Sequence, residues 1–254
     1  MKIFTNLFYS KSNSCCLIGI ILVSLIIRAL VLYLDPLLFR DATTYIKMAE
    51  AWHNNGSYQG MLNTTGNNLR WVPPFSIFLT HLVMYLGVSA EVAARTLTII
   101  FGASIPLIGY GIAKVVCRNR YVALCAALFL AINPELIKYS IQPIRESFYF
   151  ALIGMVLYYI CRGIRFHAGQ DWALAGLFCA ISCLTRYESL EFLIYVVIYF
   201  IVSTTILKQY MPMAALKSYF LFVITFLVTF SMINVLMGTH LHILDNYYYY
   251  FSRW

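Results

Sequence analysis

The chain has 254 residues, of which 61% are hydrophobic, 17% aromatic and 11% charged, with a formal net charge of +8. A soluble domain carries about 25% charged residues, so these proportions exclude one and point to a polytopic membrane protein. The positive balance is accounted for by basic cytoplasmic loops and anionic lipid, and no nucleic-acid partner is expected.

The first apolar run, Cys15 to Leu34, has the roughly 20 residues needed to cross a bilayer and no small-x-small cleavage site after it, so it reads as a retained anchor helix. Arg28 lies inside it, six residues from Leu34. That is roughly 9 Å of helix, and the side chain is expected to snorkel to the outer interface. Next comes Arg40 to Trp52, with Tyr45, Met48, Ala49 and Trp52 on one helical face and Thr44, Lys47 and Glu50 away from it. Such an amphipathic helix is expected to lie flat on the membrane and to stop near Asn54-Asn55-Gly56. The polar stretch from Asn63 to Asn68 follows, and its Asn63-Thr64-Thr65 sequon carries no weight alone.

The run Pro73 to Val88 is 16 residues long and opens on two prolines, just short of a crossing. Further runs at 92–116, 121–140, 147–161, 171–184, 189–207 and 218–237 complete the helical spans, giving an all-α fold. The status of Pro73 to Val88 fixes the topology. If it does not cross, Lys2/Lys11, Lys114/Arg118/Arg120, Arg162/Arg165 and Lys208/Lys217 share one face, as the positive-inside rule requires. The segment is therefore read as re-entrant or interfacial, leaving seven crossings with the amino terminus cytoplasmic. The seven cysteines sit in or beside apolar spans, which implies neither a disulfide framework nor a zinc site. No repeat or linker divides the chain, so residues 1–254 form a single module.

Several motifs, in order, carry a resemblance: Asp41 with Tyr45 and Ala49, Trp71-Val72-Pro73-Pro74, Ala94-Arg95, Ser140 to Phe148 (SIQPIRESF), and Leu184-Thr185-Arg186. From about residue 20 to 200 the chain resembles the GT-C superfamily. More narrowly, it is similar to the RgtA/B/C/D-like and protein mannosyltransferase-like integral-membrane glycosyltransferases of the family 39 type. The resemblance implies a seven-helix amino-terminal module, the number reached independently from the basic loops. It also implies transfer of a sugar from a polyprenyl-phosphate donor to a lipid, glycan or protein acceptor, on the outer, periplasmic or lumenal face of a plasma, inner or endoplasmic-reticulum membrane.

A sugar on a lipid phosphate already has a good leaving group, so one base and some fixed positive charge suffice, without the paired carboxylates of glycoside hydrolysis. The family's first-loop catalytic Asp maps onto Asp41. An Asp at the head of a surface helix also has the ordinary role of an N-cap, and the two are compatible. Glu146 matches the acid of the second outer loop, although a helix N-terminus favours any negative side chain. Candidate cations for the donor phosphate are Arg186, Arg145, Arg70 and Lys138, with Arg40 also on that face. Arg186 fits the resemblance best, since a basic residue follows the Leu-Thr pair in many relatives. Glu188 or Glu191 would be its structural partner.

No metal ligand is assigned. Some relatives bind a divalent ion and others do not, so metal dependence stays open. His53 and His81, each without a spaced partner, are taken as structural. The tail, with His240, His242, Tyr247 to Tyr250, Phe251 and Trp254, reads as an aromatic interface belt. The chain is expected to stop after the seventh crossing, where many relatives add helices or an outer domain. A catalytically degenerate or truncated module, acting as a non-enzymatic partner or lipid-binding subunit, is therefore the competing expectation. A transporter lacks the paired broken helices it would need.

Overall fold

The computed structural model describes residues 11–66, 72–205 and 212–239. Helix α1 spans Lys11–Leu34, α2 Arg40–Asn55, α3 Tyr58–Thr65, α4 Phe75–Met84, α5 Ala90–Cys117, α6 Arg120–Ile132, α7 Pro134–Ile141, α8 Glu146–Phe166 and α9 Gly169–Cys183. A 3-10 turn, Tyr187–Leu190, runs into α10, Glu191–Thr205, and α11 covers Pro212–Leu236. The described residues contain no strand, and the fold is that of an all-α polytopic membrane protein.

Among the described residues, five segments are long and apolar enough to cross a bilayer: Cys15–Leu34, Ala90–Cys117, Glu146–Phe166, Tyr187–Thr205 and Leu216–Leu236. The run at 121–140, expected as one crossing, is two helices, α6 and α7, meeting at 52°. Pro134 has no N–H to continue the α6 ladder, while Asn133 accepts the Leu136 N–H at 3.1 Å and caps a new helix. The expected crossing at 171–184 is α9, only 15 residues long. At the helical rise that is roughly 22 Å, short of a hydrocarbon core of about 30 Å. Because α9 packs against both α8 and α11, its length is set by protein neighbours more than by lipid.

Small residues bring these helices together, as is usual where lipid supplies no hydrophobic drive between them. A Cβ on Gly176 of α9 would stand 2.2 Å from the Phe222 carbonyl oxygen of α11, so only glycine allows that approach. On α5, a Cβ at Gly102 would meet Ser140 Oγ at 2.0 Å and Arg28 Nε at 3.3 Å.

That pocket holds Arg28, which does not snorkel. It is fully buried, donating to the Ser24 carbonyl at 3.0 Å and to the Ala131 carbonyl at 3.3 Å. The break at Asn133 leaves Ala131 at the open carbonyl end of α6, and a guanidinium there satisfies an acceptor with no helical partner. A nearby acceptor inside the bundle thus outweighs the longer reach to water.

α4 does not traverse the bundle. The Phe75 N–H donates to the Leu184 carbonyl at 3.0 Å, while at its other end Met84 packs beside Ile46, Ala90 and Ala94. Both ends therefore meet the face that carries α2. The apolar face of α2 is covered by protein: Met48, Ala49 and Trp52 pack with Tyr58, Met61 and Leu62 of α3, Ile77 of α4, and Leu184. α2 is amphipathic as expected, but its apolar side meets the bundle where a lipid surface was expected. At the far ends of the helices, Lys114, Arg118, Arg120, Arg162 and Arg165 collect, with Arg162 paired to Asp171 at 3.1 Å. Lys2, Lys208 and the aromatic tail lie outside the described residues.

Candidate active site

The face opposite those basic ends is built from the start of α2, the turn between α7 and α8, and the turn between α9 and α10. Asp41 sits in the first turn of α2, exposed, and it is not the N-cap. Phe39 occupies that position, with no side-chain cap, so the structural role open to Asp41 in the sequence is not the one it fills. A carboxylate in the first turn still gains from the helix dipole. It has no hydrogen-bond or ion-pair partner among the described residues, which leaves it available to solvent or substrate.

Glu146 is the first residue of α8 and Arg145 its N-cap. Arg186 precedes the 3-10 turn. Its Nη1 lies 3.9 Å from Glu146 Oε1 and its Nη2 2.9 Å from Glu188 Oε1, with its guanidinium carbon 5.2 Å from the centre of the Tyr149 ring. Burial works to lower the Arg186 pKa, but the Glu188 hydrogen bond and the charges of Glu188 and Glu146 outweigh it and hold the group above its ordinary value. Of the two expected partners, Glu188 pairs with Arg186, whereas Glu191 accepts from the Tyr195 hydroxyl at 2.8 Å.

Tyr45 links the two halves. Burial pushes its phenol well above the ordinary tyrosine range; Arg145 and Arg186 act to lower it, and Glu146 and Asp41 to raise it. All four charged residues are therefore close enough for their fields to reach one phenol. In the sequence, Tyr45 was a member of an apolar stripe and, with Asp41 and Ala49, of one motif of the resemblance, but nothing there gave its side chain a role of its own. A small pocket beneath it, lined by Tyr45, Ser76, Thr80, Thr98, Ile144 and Phe148 among others, has room for about one water molecule.

The remaining cations divide. Lys138 is exposed on α7, its Nζ 5.8 Å from the centre of the Phe39 ring, beside the start of α2. Arg70 lies outside the described residues. Among the described residues, no three His, Cys, Asp or Glu side chains assemble as a ligand set.

His53 and His81 do meet, against the expectation that each stands alone. Their ring centroids are 5.5 Å apart, and His81 also stacks on Trp52 at 5.8 Å. Sequence gave no sign of this, because the contact joins the end of α2 to α4.

The apolar spans, the bent α6–α7 pair and the short apolar α4 define an all-α polytopic membrane protein. The sequence model of the dolichyl-phosphate-mannose-protein mannosyltransferase family matches residues 71–230, and the chain belongs to that family of membrane glycosyltransferases. No curated protein matches it. The matched region contains Lys138, Arg145, Glu146 and Arg186 and begins after α2. Helix α2, which carries Asp41, packs on the matched part through Met48, Ala49 and Trp52 against Ile77 and Leu184.

Proposed function

We propose that the protein moves a sugar from a polyprenyl-phosphate donor to an acceptor hydroxyl at the outer or lumenal membrane surface. The observation that carries this reading is Arg186, with Nη1 3.9 Å from Glu146 Oε1, in the turn after Leu184, against which the helix that carries Asp41 packs. An exposed carboxylate without a partner among the described residues can accept a proton, and Arg186, kept cationic, can meet a phosphate. The collection of basic residues at the opposite ends supports an outward-facing site.

In this scheme Asp41 takes the proton of the acceptor hydroxyl as its oxygen attacks the anomeric carbon. The bond from that carbon to the phosphate oxygen breaks, and polyprenyl phosphate leaves with the electron pair. Arg186 and Arg145 stabilise the charge it gains, with Lys138 and Arg70 further along the same surface. Glu146 orients Arg186 and shares the acceptor side with Asp41. Tyr45, its ionisation opposed by burial, serves as a neutral hydrogen-bonding wall between the acids and the cations. Reconstituted protein should transfer label from a polyprenyl-phosphate sugar and not from a nucleotide sugar; transfer from the nucleotide sugar alone would overturn the donor assignment.

A further inference from the structure

Gln142 is almost fully buried, at 1% exposure, and sits at the C-cap of α7, four residues before Glu146. Its amide clips residues 37–39, the loop that leads into α2. Oε1 accepts the Phe39 N–H at 3.0 Å, and Nε2 donates to the Leu37 carbonyl at 2.8 Å. Phe39 is the N-cap of α2, so the Gln142 amide holds the backbone two residues before Asp41. The N-cap supplies no side-chain hydrogen bond of its own, and within the first turn the Thr43 hydroxyl donates to the Arg40 carbonyl at 2.7 Å. Arg95 adds a second tie, from Nη2 to the Pro36 carbonyl at 2.7 Å, and it also donates to the Ile141 carbonyl at 3.5 Å.

We infer that Gln142 is a positioning residue that sets the separation of Asp41 from Glu146, resting on the assignment of those two acids to the transfer site. Both sides of the amide are required. A group that only accepts would hold Phe39 but face the Leu37 carbonyl with a lone pair, and a hydrocarbon would leave both the Phe39 N–H and the Leu37 carbonyl without the partner they have here. The loop carrying Asp41 then loses its register against α8 while the helical bundle, held by other contacts, keeps its fold.

The test compares wild type with Gln142→Leu and Gln142→Glu in lipid nanodiscs. Amide hydrogen exchange over residues 37–43 should quicken about tenfold in Gln142→Leu, the bundle helices staying protected. Unchanged protection there, or loss spread through the bundle, overturns the clamp. In transfer assays with a polyprenyl-phosphate sugar, kcat should fall at least tenfold with KM for the donor unchanged; an unaltered kcat despite the loosened loop overturns the positioning role. Gln142→Glu should approach wild type as the pH is lowered, because a protonated carboxyl donates and accepts as the amide does, and no such recovery contradicts the two-sided requirement. If wild type itself transfers nothing, the site reading fails, and the exchange measurement still decides whether Gln142 clamps the loop.

Discussion

Nη2 of Arg186 lies 2.9 Å from Oε1 of Glu188, so the cation nearest Glu146 already has a carboxylate partner. A donor phosphate must compete with that carboxylate. Glu188→Gln leaves Arg186 charged and removes the competitor, and the expected result is a KM for the lipid-phosphate donor lowered a few-fold. Arg186→Ala removes fixed positive charge from the leaving group and should reduce kcat by about 100-fold, within the range for loss of one preorganised donor. Steady-state kinetics on both variants checks the pair; a lower donor affinity in Glu188→Gln would mean that Glu188 supports binding.

Gly102 predicts a stability effect in the membrane core. Its Cβ would fall 2.0 Å from Ser140 Oγ and 2.5 Å from Ser140 Cβ, so Gly102→Ala should destabilise by about 1–3 kcal/mol through overpacking. The double variant Gly102→Ala/Ser140→Gly should recover most of the loss. Thermal unfolding in detergent reads this directly, and additive losses in the double variant would show that the two residues do not compete for space.

The pairing of His53 with His81 makes the contact between α2 and α4 sensitive to pH. α4 does not span the bundle, and its His81 has a folded-state pKa held below the ordinary 6.5, first by burial and second by His53. The unfolded chain therefore accepts a proton that the folded state resists. The stability contribution is complete above about pH 6.5 and is lost as the pH falls below that value. Trp52, stacked on His81, should report the loosening as a fluorescence change that His81→Phe abolishes. A pH response that survives in His81→Phe would assign it elsewhere.

Much of this architecture was legible in the chain. The spacing of Met48, Ala49 and Trp52 marks the amphipathic helix, and the length of Pro73 to Val88 marks a segment too short to cross. What could not be read was set by contacts between distant elements. Arg28 finds the Ala131 carbonyl 103 residues away, Gln142 finds Leu37 and Phe39 at the same order of separation, and His53 meets His81 across a helix boundary. For Asp41, local pattern allowed an N-cap, but the helix starts one residue earlier, at Arg40. Glu146 and Arg186 were visible as candidates, yet only the fold joins them at 3.9 Å.

The course of α4 predicts an accessibility pattern. Lys47 lies exposed on α2 and Asn119 caps α6, and among the described residues between them only α5 is long and apolar enough to cross. In a background freed of native cysteines, Lys47→Cys and Asn119→Cys should label from opposite sides, Lys47→Cys from outside. Labelling of both from one side would require α4 to cross.

The central claim is that Asp41 accepts the proton of the acceptor hydroxyl. Asp41→Asn keeps the shape of the side chain and its place in the first turn of α2, but removes its basicity. Transfer from a polyprenyl-phosphate sugar by reconstituted Asp41→Asn, measured beside wild type, should fall by about 100-fold or more while thermal stability stays near that of wild type. Undiminished transfer by the folded variant would contradict the account.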